Sequence, residues 1–237
     1  MSIRILQLGA GLRGRQWVQF IRSHPDFEYA GIVEPDRESR VKAEAVAPGV
    51  ALFSELDEAL RASRPDAALV ITPSSTHAEM SIRCLQAGLT VMVEKPLATS
   101  VAEGRRVLEA ASAAGRQVIV AENYRFFPAE RTVKRLLDEG FLGTLDHAVM
   151  IDRRHQPSRV EGPWFGKIDY PQLQEIATHH FDSLRGLFGQ RPVSMTVRVW
   201  NPPWTDYQHG ANTEAQIDFG AVQVQYLGTL LSHRYGF

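Results

Sequence analysis

Between residues 3 and 121 the chain repeats one arrangement, a short apolar run rich in Val, Ile and Leu followed by a segment of helical period. The runs occupy residues 3–8, 29–33, 67–71, 89–93 and 117–121. Strands that are apolar without alternation belong in a parallel sheet, because helices packed on both sides are what keeps both faces dry. Helix starts stand between the runs: "SELD" from Ser54, "THAE" from Thr76 and "SVAE" from Ser100 each set a hydroxyl three residues before a carboxylate, the pattern of a capping box. Gly88 and Gly115 fit as helix C-caps before the next run.

Beyond residue 121 the period changes. "ENYRFFPAERTVKRLLDEG" predicts a helix with Pro128 in its first turn and Gly140 at its end. Two-residue alternation follows, with Val193, Met195, Val197 and Val199 on one face and Ser194, Thr196, Arg198 and Trp200 on the other. "TEAQIDFGAVQVQYLG" reads as two such strands joined at Gly220. The expected organisation is a doubly wound α/β domain over residues 1–121 and an α+β domain over 122–237 with an open, mainly antiparallel sheet. The closing "LLSHRYGF" ends in or just after a strand, so that sheet reads as shortened or as completed by another subunit. "RRHQPSRVEGPWFGKIDYP" is too long for a plain connector and reads as a binding loop.

Composition narrows the partners. With 237 residues, 44% of them hydrophobic, the chain can bury a sizeable core, and 26 basic against 27 acidic groups give a net charge of −1. Neither a nucleic acid nor an anionic membrane is recommended by that balance; a small molecule is. The start "MSIRILQLGAG" runs into a strand without a leader, and no window reaches the length of a membrane span, so a cytoplasmic location is expected. The single cysteine, Cys84, lies among Met80, Ile82 and Leu85 and reads as buried packing.

"ILQLGAGLRGRQW" sets Gly9, Gly11 and Gly14 in the G-x-G-x-x-G spacing, with Leu12 and Arg13 between the last two. The first glycine allows a tight turn, the second lets backbone approach a pyrophosphate, and the third lets the helix pack close to its strand. The spacing alone is weak, but here it follows a strand, opens a helix and precedes Glu34 at the end of the second apolar run, as a dinucleotide site requires. A carboxylate there accepts from the adenosine ribose hydroxyls and repels a 2′-phosphate, which favours NAD; Arg37 close by leaves NADP open.

Three further stretches, "TPSSTH" at 72–77, "EKP" at 94–96 and "THHFDSLRGLFG" at 178–189, stand in an order that resembles the Gfo/Idh/MocA family of nicotinamide-dependent oxidoreductases. The resemblance implies a Rossmann domain followed by an α+β domain, with a homo-oligomer formed through the open sheet. It matches Lys95 to the family's lysine beside the nicotinamide and the substrate oxygen, and places Glu94, Thr72, Pro73 and His77 along the cofactor. His77 reads equally well as a structural residue at the start of a helix.

A helical wheel separates the adjacent histidines. Leu173, Ile176, Ala177, Phe181, Leu184, Leu187 and Phe188 form an apolar face that includes His180, a packed core histidine on that reading. Glu175, His179, Asp182 and Gly186 form the opposite stripe, which faces water or a cleft. The wheel leaves the choice open. The family pattern, an acid, three residues and then histidine, implies His179 as general base, with Glu175 where most dehydrogenase members carry aspartate. Lys95 would then stabilise charge on the oxygen, and Glu175 would orient the ring or bind a substrate hydroxyl. Arg153, Arg154, His155, Trp164 and Lys167 are candidate substrate contacts, as is Asp182; no metal ligands are assigned. The function expected is hydride transfer between NAD and a sugar, polyol or related hydroxy compound. Two alternatives remain, a nucleotide-binding regulator or assembly protein with little redox turnover, and an enzyme that uses NAD transiently in glycoside cleavage or epimerisation.

Overall fold

The computed structural model describes residues 2–156 and 168–232. The chain divides into two compact units, Met1–Ala121 and Glu122–Phe237.

In the first unit β1 (Ile3–Leu8), β2 (Phe27–Val33), β3 (Leu52–Phe53), β4 (Ala67–Val70), β5 (Thr90–Val93) and β6 (Val118–Val120) form one sheet in the order β3-β2-β1-β4-β5-β6. Every pairing is parallel. The strand order reverses between β1 and β4, the switch point at which doubly wound sheets open a crevice at their carboxyl ends. The connecting helices are α1 (Leu12–Ser23), α2 (Arg37–Val46), α3 (Leu56–Ser63), α4 (His77–Gln86) and α5 (Val101–Ala114). Leu6, Leu8, Val70, Val91 and Val93 are fully buried at the centre of the sheet, each contributing roughly 1.5–3 kcal/mol by leaving water. Cys84 packs in the same core, and burial pushes its thiol up to about 12.

Some helix starts differ from the sequence pattern. At α5 the Ser100 hydroxyl accepts from Glu103 N at 3.2 Å, but the Glu103 carboxylate reaches back to Thr99 rather than Ser100. At α3 the cap is Glu55 with no side-chain bond, so Ser54 stands one residue outside. A 3₁₀ turn, Ser74–Thr76, precedes α4, and it turns the Thr76 hydroxyl back towards Thr72 Oγ1 and Pro73 O, both at 2.8 Å. An unexpected N-cap begins α2, where Asp36 accepts from Ser39 N at 2.7 Å; hydrogen bonding to Ser39 holds its carboxyl below the usual range.

The second unit contains α6 (Pro128–Asp138), β7 (His147–Arg153), α7 (Thr178–Phe188), β8 (Ser194–Trp200), β9 (Asn212–Asp218) and β10 (Gln223–Thr229). Pro128 lies in the first turn of α6 and Gly140 follows its end in the left-handed region. The sheet is open, in the order β7-β10-β9-β8, with β8, β9 and β10 antiparallel and β7 joined to β10 in parallel. A π-helical turn, Gln172–Ala177, leads into α7. One sheet face packs Ala215, Ile217, Val224 and Tyr226 against Ala177, Phe181, Leu184 and Phe188. The other face carries Val149 and Ile151, each 56% exposed. Val197 joins the core as the alternation predicts, whereas Val193, just before the edge strand β8, and Met195, near its start, are exposed. Among the described residues no helix is long and apolar enough to cross a membrane.

Candidate functional site

The first unit gathers its candidate residues where β1, β2, β4 and β5 end. Gly9 has φ of +98°, and a Cβ there would fall against Ile71 O and lie 2.8 Å from Ile71 C, so the turn after β1 passes directly over the end of β4. Gly14 in α1 packs as tightly, its absent Cβ facing the Gly9 carbonyl. Gly11 differs from both: a Cβ on it would meet nothing within 4 Å. That residue is the N-cap of α1, with no side-chain cap and no acid in the first turn, so the leading amides of a 12-residue helix are left to an outside anion. Leu12, the first helical residue, is 72% exposed beside them. A pyrophosphate fits this open backbone, and the close contacts at Gly9 and Gly14 explain why the neighbouring positions must be glycine.

The turn is held by residues the sequence reading passed over. Gln7, fully buried on β1, donates from Nε2 to Gly9 O at 2.8 Å and Gly14 O at 3.1 Å, while its Oε1 accepts from Tyr29 OH at 2.8 Å. Burial raises the Tyr29 phenol well above its usual range, which keeps that donor protonated. A polar residue inside the apolar run "IRILQL" was the available signal.

The acids expected at the cofactor are partly engaged by the chain itself. Glu34 accepts from Ala10 N at 2.8 Å through Oε2 and from Asp36 N at 3.0 Å through Oε1, so it braces the glycine turn as well as standing at the end of β2. Arg40 donates to the carbonyls of Glu34 and Pro35, whereas Arg37 is exposed. Glu94 is buried and accepts at Oε1 from Arg13 Nε at 2.7 Å and Trp17 Nε1 at 2.8 Å. The pair expected to line a cofactor, Arg13 and Glu94, therefore ties α1 to the end of β5. His77 is 2% exposed, with Nε2 2.8 Å from Thr72 O and Nδ1 2.6 Å from Pro96 O. It staples the end of β4 to the segment after β5 and is a structural clamp rather than a surface contact. Lys95 lies half-buried in that stapled segment, directly before Pro96.

In the second unit both histidines of α7 are buried, so of the two surroundings open to the stripe that carries His179, bulk water does not hold at that residue. His179 Nδ1 is in ion-pair contact with Glu122, both side chains being largely shielded from solvent. The contact departs from a linear hydrogen bond, and neither Glu122 Oε2 nor His179 Nδ1 has a hydrogen-bond partner elsewhere among the described residues. The Tyr124 ring stacks on His179 at 4.2 Å between centroids and 6° between planes. Tyr124 OH accepts from Arg154 Nη2 at 3.1 Å, and Arg154 Nε contacts both oxygens of Asp152.

His180 is buried, as a packed core histidine should be, and it also has polar partners there. Its Nδ1 lies 2.9 Å from Tyr226 OH, Gln172 Nε2 donates to the same phenol at 2.7 Å, and its Nε2 is 3.8 Å from Asp152. Burial lowers the imidazole to about 4, against the opposing pull of Asp152, and burial raises the Tyr226 phenol. Gly228 on β10 makes room for this group, since a Cβ there would lie 2.6 Å from Tyr226 OH and closer still to Gln172 Nε2.

The remaining candidates scatter. Asp182, expected at the substrate, is taken up by Arg125, which donates to both carboxylate oxygens and to its carbonyl. Glu175 is half-buried in the π-helical turn, whose wider i→i+5 spacing removes it from the register that the wheel assumed. Arg153 and His155 are exposed at the end of β7, with His155 bridging to Leu231, and Trp164 and Lys167 lie outside the described residues together with most of the long loop. Glu122, Tyr124, Asp152, Gln172 and Tyr226 were missed. The signal for the first two was their position just past the carboxyl end of the last apolar run. Among the described residues no group of three or more His, Cys, Asp or Glu could hold a metal ion.

The model of an oxidoreductase family with an NAD-binding Rossmann fold, GFO_IDH_MocA, matches residues 3–122. An inositol 2-dehydrogenase of Leifsonia xyli subsp. xyli is 34% identical over 202 residues, 83% of this chain and 57% of that protein. A scyllo-inositol 2-dehydrogenase (NADP(+)) of Bacillus subtilis is 27% identical over 237 residues, 97% of this chain and 64% of that protein. The chain spans 46% to 64% of the length of such curated relatives. The WlbA dehydrogenase of Bordetella pertussis, solved with NADH and UDP-GlcNAcA, superposes with a TM-score of 0.88 at 24% identity, covering 98% of this chain and 72% of that one, a likeness that carries the fold.

Proposed function

Because the chain belongs to the Gfo/Idh/MocA oxidoreductase family, we propose that it transfers hydride between a nicotinamide dinucleotide, NAD in preference to NADP, and a CH–OH group of a sugar, polyol or related hydroxy compound. The observation that carries this reading is the turn after β1. Two of its glycines are forced by backbone contact, and the third opens onto uncapped helix amides. The sugar or polyol class is supported by relatives named for inositol. When bound, the nicotinamide supplies the hydride acceptor or donor.

The chain's own residues divide the rest. The amides of Leu12 and Arg13 bind pyrophosphate oxygens, and the exposed Leu12 shields them from water. Glu34, held by Ala10 N and Asp36 N, keeps acceptor capacity for a ribose hydroxyl and opposes a 2′-phosphate. Lys95, fixed by the His77 staple, stabilises negative charge on the substrate oxygen. His179 accepts the hydroxyl proton as general base. A homo-oligomer forms through the open sheet face that bears Val149 and Ile151, and sedimentation of the purified protein as a monomer would refute that part.

The test is turnover of NAD⁺ with a panel of sugars and polyols, myo-inositol first, by wild type, Lys95→Ala and His179→Ala. Both variants are expected to lose turnover by about 10²-fold or more while binding NAD⁺ as wild type does. Undiminished turnover in His179→Ala would remove it from the chemistry.

A further inference from the structure

We propose that Glu122, rather than Glu175, is the acid that positions His179, and that the segment beginning at Glu122 is the seat in which the imidazole is held. This assignment rests on the reading of His179 as the general base.

The residues that follow β6 are laced onto α7 at two points with matching spacing. Glu122 meets His179, and Arg125, three residues on, meets Asp182, three residues on. The second contact is a two-pronged guanidinium–carboxylate pair, with Arg125 Nε 2.6 Å from Asp182 Oδ2 and Nη2 also 3.2 Å from Asp182 O. Such a pair fixes direction as well as distance. Between the two points the 3₁₀ turn Tyr124–Phe126 lays the Tyr124 ring flat on His179. The stack is braced from behind by Arg154 on the tyrosine hydroxyl and by Asp152 on Arg154. The imidazole is thereby confined in plane by Tyr124 and in rotation by Glu122.

The chemistry of that confinement is specific. A carboxylate in ion-pair contact with Nδ1 favours the ring form that carries its proton on that nitrogen, which leaves the lone pair on Nε2. When Nε2 accepts a hydroxyl proton the ring becomes an imidazolium, and the Glu122 carboxylate beside it offsets the new charge without itself taking the proton. The groups that feel the Glu122 charge include the Arg125 guanidinium and the neighbouring His180, which burial keeps neutral. Glu175 lies in the π-helical turn before α7, and the acid found against Nδ1 is not that residue.

The experiment uses the full chain, with ring nitrogens labelled and His179 read by long-range proton–nitrogen NMR in wild type, Glu122→Gln, Glu122→Ala and Glu175→Ala. Wild type is expected to show the tautomer protonated at Nδ1. Glu122→Gln, isosteric and still able to accept from Nδ1, keeps that pattern but lowers kcat. Glu122→Ala mixes the two tautomers and lowers kcat by about 10²-fold or more, with NAD⁺ affinity by calorimetry unchanged. Glu175→Ala keeps the wild-type ring pattern. Loss of the pattern in Glu175→Ala and its retention in Glu122→Ala would overturn the assignment. If His179→Ala turns over normally on a substrate that wild type oxidises, the general-base reading fails, even where the ring pattern shows Glu122 in place.

Discussion

Two glycines two residues apart carry opposite consequences when replaced by alanine. At Gly9 the backbone is held at φ +98°, and a Cβ would fall against Ile71 O, 2.8 Å from Ile71 C and 3.1 Å from Thr72 N. An L-residue held there costs about 1–3 kcal/mol of backbone strain. The obstructing atoms are main chain at the end of β4, so relief requires the turn to lift off the sheet. Alanine restricts the unfolded chain and returns about 0.4–1 kcal/mol. Displacing that main chain adds about 1–3 kcal/mol, as overpacking does, so the net expectation for Gly9→Ala is a loss of about 2–4 kcal/mol, which for a chain of this size lowers Tm by roughly 2–4 °C per kcal/mol. At Gly11 φ is −58° and nothing lies within 4 Å of a Cβ. Gly11→Ala should leave stability within about 0.5 kcal/mol, because the weaker N-cap and the stiffer unfolded chain offset each other. Its methyl stands where a pyrophosphate must approach, so NAD⁺ affinity should fall at least about tenfold, a difference of roughly 1.4 kcal/mol. Urea unfolding followed by circular dichroism without nucleotide, and calorimetric titration with NAD⁺, separate the two effects. Equal destabilisation by both substitutions, or a Gly9→Ala chain as stable as wild type, would refute the reasoning.

Three other perturbations have definite expected outcomes. Burial lowers His180 to about 4 in the folded chain from an ordinary 6.5, so unfolding takes up a proton between those values. Stability should therefore fall as pH drops from about 6.5 to about 4, by at most about 3 kcal/mol, and His180→Asn should flatten that slope in urea midpoints; an unchanged slope counts against the burial argument. Gly228→Ala should destabilise by about 1–3 kcal/mol through displacement of the buried Gln172 from Tyr226, and the double substitution with Gln172→Ala should recover part of the loss, whereas additive losses would contradict the close approach. Glu34→Ala should weaken NAD⁺ more than NADP⁺ in parallel titrations, and an unaltered ratio would mean that the carboxylate serves only Ala10 and Asp36.

The apolar runs exposed the parallel sheet because burial on both faces leaves nothing polar in a strand such as residues 67–71, whose central positions are Ala68, Leu69 and Val70. The glycine spacing was legible for a related reason, since each glycine answers a local steric demand within one strand–turn–helix unit. β3 escaped because Leu52 and Phe53 are too few to show a period; its place is set by Ile32 N and Glu34 N donating to Ala51 and Phe53 across the sheet. The wheel grouped the apolar side of α7 correctly, but its uniform turn does not describe the π-helical turn that precedes the helix and carries Glu175. It also had no access to partners remote in sequence. Glu122 is 57 residues from His179, as Arg125 is from Asp182, and no periodicity within α7 reports either contact. The same limit hid the engagement of Glu94 by Arg13 and Trp17 and the two carbonyls around His77.

The most direct measurement is calorimetric titration of the purified protein with NAD⁺, NADH, NADP⁺ and NADPH, followed by absorbance in the reduced-nicotinamide band as sugars and polyols are added. The account predicts binding of NAD⁺ and NADH in preference to the phosphorylated forms, and substrate-dependent reduction that is lost in His179→Ala. Absence of binding by all four nucleotides would contradict it at its root.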